Sequence, residues 1–458
     1  MKLTKFGKAL AMGALSAAVV FGVTSCVESY TVGFLYVTGT VTVSTGNNGI
    51  ITGFKIDHNT GRLTPVNGLP IASGGANPVR AFLTLGSRFL YVLNRGVNAS
   101  GSGDCYGTGA NACLNSNITQ FAVGGDGILT PQETFYTQGI NPFRMIVDGS
   151  GAYLFVLDHD APDNANPSST DNCALALGPS VTTCGDITVF KIDQSTGRLS
   201  LIVNAQVTAA NGEPINYFPI PANPVDFVLS GSSVLTLAGA PSPTSYPYTG
   251  GTLVFPYAYA ASTGQLTLSQ NSSQPLGIKQ GTAIVSAGGV IYVLDNEPIT
   301  ITFNNTSTTS QSQILPFTVG GSGALQAEPS GIIPDDPTLS NPIYVLLENK
   351  GKFVYVANQG NNAIGPNPES GISGYFLTTA PAYQLSFIAE EPFGSGSGPQ
   401  CIVEDPSNQF IYEANEYDST VTGRVLDPNT GDLDDMRVVS TYKLQGPPSW
   451  CLVDGRTS

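Results

Sequence analysis

Phe34-Leu-Tyr-Val37, Phe89-Leu-Tyr-Val92, Tyr153-Leu-Phe-Val156, Val234-Leu-Thr-Leu237, Val290-Ile-Tyr-Val293, Phe353-Val-Tyr-Val356 and Phe410-Ile-Tyr-Glu413 are seven copies of one short β-rich string. Most follow an Asn-Pro or Gly-Pro start, at Asn77-Pro78, Asn141-Pro142, Asn223-Pro224, Asn341-Pro342 and Gly398-Pro399. Many precede a second signature, Phe54-Lys-Ile-Asp57 with Thr60-Gly61-Arg-Leu63 and Phe190-Lys-Ile-Asp193 with Thr196-Gly197-Arg-Leu199. Val425-Leu-Asp-Pro428 with Thr430-Gly431-Asp-Leu433 is a weaker copy. The glycine in each supplies the positive φ of a tight hairpin, and the apolar residues on either side form its strands. Each unit therefore predicts four antiparallel strands: after the Pro, at Tyr-Val, at Phe-x-Ile-Asp and after Gly-x-Leu.

Seven units of four strands, with no capped helical period anywhere, predict an all-β, seven-bladed β-propeller. A β-solenoid has shorter repeats without this punctuation. The chain opens on a Tyr-Val strand that lacks its Asn-Pro strand, and it finishes on Pro447-Pro448-Ser-Trp-Cys-Leu-Val453, an inner strand with no Tyr-Val strand after it. N- and C-terminal strands together predict one complete blade that closes the ring and pairs otherwise loose sheet edges. The propeller is expected over 34–454, after a signal at 1–26 and a tether at 27–33, with a tail at 455–458.

Lys2, Lys5 and Lys8 precede the apolar, small-residue run Ala9 to Val23, which reads as an export signal. Val23-Thr24-Ser25-Cys26 resembles a lipobox, so Cys26 is expected to carry a lipid. Of the 7 cysteines, that leaves an even number, which suits an oxidising compartment. Cys105 with Cys113 and Cys173 with Cys184 have the spacing of local loop staples rather than of a zinc site. Cys401 and Cys451 occupy similar places in the last two inner strands and form a third candidate pair, if adjacent inner strands come close enough. The balance of 33 acidic against 18 basic residues, net −15, disfavours nucleic acid and anionic lipid head groups.

The Tyr-Val-x-Asn strand followed by Phe-x-Ile-Asp-x-x-Thr-Gly-x-Leu resembles the repeat of the lactonase-type seven-bladed propeller family, which includes 6-phosphogluconolactonase. The resemblance spans Phe34 to Asp454 and implies lactone hydrolysis by a Pro-His in one blade and a Pro-Arg-His with Asn-Glu in a later one. Here those places read Pro142-Phe143-Arg144 and Pro224-Val225-Asp226, with Ala238-Gly239 in place of Asn-Glu. Asn296-Glu297 and Asn415-Glu416 echo part of the second motif without its His.

Inner strands begin, and their neighbours end, on one face of a propeller, so polar residues at both places converge on the channel mouth. The expected ligand-binding residues are Arg80, Arg95, Arg144, Asp158, Asn296, Asn358 and Asn415. Arginines beside carboxylates hold anionic or sugar-like ligands through bidentate bonds. The candidate catalytic residues are His159, Arg144, Glu297 and Glu416; a carboxylate beside His159 orients it as a general base. Asp158, Asp160 and Asp163 are candidate oxygen ligands for calcium, the one cofactor considered, although their spacing matches no EF-hand. Long inserts at 96–116 and 159–185 fall on this same face, which is therefore the expected ligand face.

These readings point to a monomeric envelope lipoprotein, anchored to the membrane through Cys26 and facing the periplasm, outer membrane or cell surface. It would bind an envelope protein or glycan with degenerate catalytic motifs; a divergent lactonase-like hydrolase is the alternative. Mass spectrometry of the native protein should find a diacylglyceryl-modified N-terminal Cys26; an unmodified N-terminus at Val27 or beyond would refute the anchor.

Overall fold

The computed structural model describes residues 30–41, 48–101, 105, 107–239, 252–268, 276–287, 289–303, 306–320, 323–328, 331–361, 369–378, 384–437 and 439–455. The signal and Cys26 lie outside the described residues. Seven antiparallel sheets of four sequential strands form the seven blades. Blade 2 runs from Pro78–Leu83 to Leu129–Phe135, blade 3 from Ile140–Val147 to Leu199–Leu201, and blade 4 from Pro224–Ser230 to Gln265–Leu268. Blade 5 runs from Gly281–Ala287 to Leu325–Ala327, blade 6 from Pro342–Leu347 to Leu385–Phe387, and blade 7 from Pro399–Glu404 to Leu433–Asp435. In each blade the second strand is the Tyr-Val string, and in all but blade 6 the fourth begins at or near the Gly-x-Leu leucine.

Blade 1 joins the two ends of the chain. Thr31–Thr40 pairs with Gly49–Asp57 on one side and with Pro448–Asp454 on the other, in a register that sets Tyr36 opposite Leu452 and Val37 opposite Cys451. The Cys401–Cys451 disulfide ties blade 7 to this blade across a Cα separation of 5.9 Å, so the inner strands do come close enough. Cys105–Cys113 and Cys173–Cys184 are also bonded. Three disulfides mark a protein of an oxidising, extracytoplasmic compartment.

The repeated residues explain how blades hold one another. In Phe-x-Tyr-Val the Phe and Tyr lie two apart and so share a sheet face, and that face docks on the hairpin of the next blade. The Tyr36 hydroxyl donates to the Gly127 carbonyl at 2.8 Å, Tyr355 to Gly431 at 2.7 Å, and Tyr412 of blade 7 to Gly61 of blade 1 at 2.6 Å. Tyr91 donates likewise to Gly197, and Tyr153 reaches the Ser262 carbonyl at 3.1 Å. Gly61 shows why the turn needs glycine twice over. Its φ is +67°, and a Cβ there would stand 2.4 Å from the Phe410 ring. Asp57 squares the same turn by accepting from the Asn59 and Thr60 amides, and Asp193 and Asp427 repeat this on Ser195 and Thr196 and on Asn429 and Thr430.

Blade 7 breaks the pattern at one core position. Glu413 stands where Val37, Val92, Val156, Val293 and Val356 stand elsewhere, and it is fully buried between blades. Neither carboxylate oxygen has a hydrogen-bond partner, although Thr422 lies opposite on the next strand and Arg424 is close enough to attract it. Burial outweighs Arg424 and pushes the carboxyl up to about 8. Between the ordinary carboxyl range and pH 8 the folded chain thus holds a proton that unfolding releases, and stability falls as pH rises. Glu413→Val should unfold later than wild type, with a gap that widens from pH 5 to pH 8 by about 1–3 kcal/mol. Urea unfolding at both values measures it.

Candidate functional site

Five of the seven inner strands start with the same device. Asn77, Asn141, Asn223 and Asn341 hold φ between +50° and +62°, and Gly398 holds +73°, each just before the Pro. A β-bulge follows, which shifts the register between Pro78 and Arg80, Pro224 and Asp226, and Pro342 and Tyr344, with counterparts in the other blades. A bulge re-aims side chains. Here it turns the second residue after the Pro into the channel in five blades: Trp450, Arg80, Arg144, Asp226 and Tyr344. These residues come from blades 1, 2, 3, 4 and 6, so only the channel axis lets them meet.

The Arg80 guanidinium lies 4.0 Å from the centroid of the Trp450 ring, and the Tyr344 ring meets Trp450 edge-on at 5.2 Å. Arg144 pairs with Asp226 at 3.2 Å, and the other Asp226 oxygen accepts from the Ile284 amide at 3.1 Å. Arg80 donates to the Val79 carbonyl and has no carboxylate partner among the described residues. Burial and the charge of Arg144 lower its pKa, while Asp226 and Tyr344 counter them. Burial also raises the Tyr344 phenol. The channel thus holds two cations for one fully engaged carboxylate, beside two aromatic faces.

The rim above is formed by the residue after each second strand. Glu416 receives Gln359 Nε2 at 2.9 Å and Gln400 Nε2 on the same oxygen, Oε2. Burial raises its pKa and the two amides oppose the shift. Asn341 extends the network, donating its Nδ2 to Gln359 at 2.9 Å and its backbone amide to Asn296 Oδ1 at 3.2 Å. Glu297 hydrogen-bonds to none of these residues. Arg95 is committed to the first insert, donating to the Cys105 carbonyl. His159 Nδ1 lies 3.1 Å from Asp160, its ring is 6.0 Å from Phe143, and with Asn164, Thr183 and Asn223 it lines a cleft of about 180 Å³ between the two stapled inserts.

Three expected ligand-binding residues are not at the mouth. Asp158, Asn358 and Asn415 are fully buried, because the last residue of the second strand to pair with the third points back into the blade. Asn358 donates to Ser373 at 2.8 Å, and Asn415 to Thr420 and Thr422 at 3.1 Å each. The calcium candidates do not share a point either. Asp158 is inside the blade, and Asp160 accepts from Asn141 and Asn164 as well as facing His159. Burial would raise Asp160, but these partners hold it low. Asp163 accepts from the Asn172 amide at 2.7 Å and the Tyr217 hydroxyl at 3.2 Å. Asp163 does approach Asp171 and Cys173, but Cys173 is in a disulfide and Asp171 caps the helix Asn172–Leu177.

Sequence reasoning missed Trp450, Tyr344, Gln359 and Gln400. The signal for the first two was present, since Pro448-Ser-Trp450 and Pro342-Ile-Tyr344 repeat the offset of Arg80 from Pro78.

No family model and no curated protein matches the sequence. Solved structures do. The periplasmic gluconolactonase of Pseudomonas aeruginosa superposes with a TM-score of 0.61 at 16% identity, over 92% of this chain and 99% of that one. Candidate 6-phosphogluconolactonases of Bacteroides uniformis and Bacteroides fragilis give TM-scores of 0.59 and 0.57 at 12% and 14% identity, again over 92% of this chain and 99% and 98% of theirs. At such identities the likeness speaks for the fold, and this chain is a seven-bladed propeller with the fold of the 6-phosphogluconolactonase-like proteins.

Proposed function

We propose that this chain is an envelope lipoprotein, anchored through Cys26, whose channel binds a small anionic, carbohydrate-like ligand without hydrolysing it. The observation that carries the reading is the charge count in the channel. Arg80 and Arg144 face one carboxylate, Asp226, which is already engaged by Arg144 and the Ile284 amide. A carboxylate or phosphate would complete Arg80, whose planar fork suits such groups. Trp450 and Tyr344 offer apolar faces for a sugar ring. In a chain of net charge −15, an uncompensated guanidinium in a channel is a local exception that calls for a partner. The acidic surface still disfavours nucleic acid, and the reading requires only a monomer; a glycan or protein of the envelope could present the anion.

A divergent lactonase-like hydrolase is the second reading, favoured by the His159–Asp160 contact. A carboxylate on Nδ1 orients the ring and leaves Nε2 as a base toward the cleft. Against it stands the family motif, where Phe143 and Asp226 replace histidines of the expected set. Titration calorimetry with aldonates and their phosphates, beside a lactone hydrolysis assay, separates the two. Binding should weaken at least tenfold in Arg80→Met and Arg144→Met, about 1.4 kcal/mol, with lactones no less stable than in buffer. Turnover that disappears in His159→Ala, Arg144→Ala and Glu416→Ala would establish the hydrolase instead.

A further inference from the structure

Asp158 is the last residue of the second strand of blade 3 to pair with the third, where Asp186 stands directly opposite, and both are fully buried. The other blades supply the control. In blade 2 the same place holds Asn94 opposite Asn117, and Asn94 Nδ2 donates to Asn117 Oδ1 at 2.9 Å. In blade 5 it holds Asp295 opposite Gln313, whose Nε2 donates to the carboxylate at 2.9 Å. In both, an amide meets an acceptor. Blade 3 sets acceptor against acceptor.

The donors nearby, the Thr137 and Thr188 hydroxyls and the Gly139 amide, pull Asp158 down, but burial outweighs them. Thr188 Oγ1 lies 3.2 Å from Asp158 Oδ2 and 3.3 Å from Asp186 Oδ1, and it has a single hydrogen to give. Asp158 Oδ1 and Asp186 Oδ2 are buried with no partner, and no Lys or Arg bonds either residue among the described residues. The other ionisable neighbours do not neutralise the pair. Asp160 adds negative charge, His159 is turned to Asp160, and the Tyr217 hydroxyl is spent on Asp163. Two buried carboxylates without a cation cannot both be ionised. Burial pushes Asp158 up to about 7, and burial together with the charge of Asp158 raises Asp186 well above the carboxylate range.

We propose that Asp158 and Asp186 share one proton, an O–H···O bond where other blades use an amide, and that this proton fastens the neck of the rim segment 159–184. The segment parts from the third strand after Asp158, stays on the inner strand to Asp160 and returns at Gly185, and between them it carries His159 and the Cys173–Cys184 staple. Losing the proton puts two like charges at the neck, so the strand ends part and the rim loosens beside the mouth. The pair is thus a pH-sensitive latch, closed on the acid side, and it operates whether or not the channel binds a ligand.

Urea unfolding of wild type, Asp158→Asn and Asp186→Asn between pH 5 and pH 9 tests this. Folded wild type holds a proton that unfolding releases, so its stability falls as pH rises, and either Asn restores an amide donor and removes about one proton from that slope. Glu391, Glu404 and Glu413, also raised by burial, contribute equally to all three proteins, so the difference isolates the pair. Hydrogen exchange across 159–184, corrected for intrinsic rates, should quicken from pH 6 to pH 9 in wild type and not in the variants. Equal slopes and equal exchange would overturn the latch. Should neither variant fold, side-chain carboxyl NMR of wild type decides: one protonated, buried Asp at pH 6 supports the shared proton, and full ionisation of both refutes it.

Discussion

A tyrosine hydroxyl of one blade bonded to a hairpin carbonyl of the next is the contact on which the ring depends. Much of the remaining contact between neighbouring blades is apolar, and apolar side chains attract without direction. The hydroxyl adds a fixed donor and acceptor, and the glycine at the turn lets the preceding aromatic ring lie flat on the backbone. The chain uses it between blades 1 and 2, 2 and 3, 6 and 7, and 7 and 1. Tyr153 makes a variant of it between blades 3 and 4. The last of the regular contacts, Tyr412 on Gly61, joins blade 7 to blade 1 as the Cys401–Cys451 disulfide does, and within blade 1 Thr31–Thr40 pairs with Pro448–Asp454. Blades 7 and 1 are thus held together by a hydroxyl and a disulfide, and the two ends of the chain by strand pairing.

A ring built this way leaves the ends of its inner strands free to vary. A bulge shapes every start, and in most blades a positive φ before the Pro does too, so in five blades the side chain two positions on projects into the channel. Substituting there changes chemistry at little cost to the fold. The chain has placed Trp450, Arg80, Arg144, Asp226 and Tyr344 at those positions, and their sum is an excess of positive charge in a strongly negative protein. Buried acids elsewhere follow the opposite logic. At Glu413 and at Asp158 with Asp186, a charge falls where the repeat has an apolar residue or an amide, and the protein answers with a proton.

Much of this was legible in the sequence because it repeats. Tyr-Val and Thr-Gly-x-Leu recur for local reasons, period-two alternation and a turn that needs glycine, and local reasons survive without coordinates. Blade number, strand roles and closure follow from them. The mouth was legible only in part. Asp158, Asn358 and Asn415 end the pairing of the second and third strands, and there the last paired residue faces inward and the one after it faces the rim. That one-residue parity is why Gln359 and not Asn358 reaches Glu416. Trp450 and Tyr344 look like ordinary core aromatics until the bulge turns them. Whether Cys401 could reach Cys451 turned on the spacing of inner strands, which no sequence pattern encodes.

The stitching claim is tested most directly by urea unfolding of Tyr412→Phe beside Tyr91→Phe. Each removes one hydroxyl and leaves a buried carbonyl without its donor while keeping the ring on the glycine. Both variants should lose about 1–2 kcal/mol with unchanged cooperativity. Variants as stable as wild type would show that apolar packing alone holds the blades together and would contradict the account.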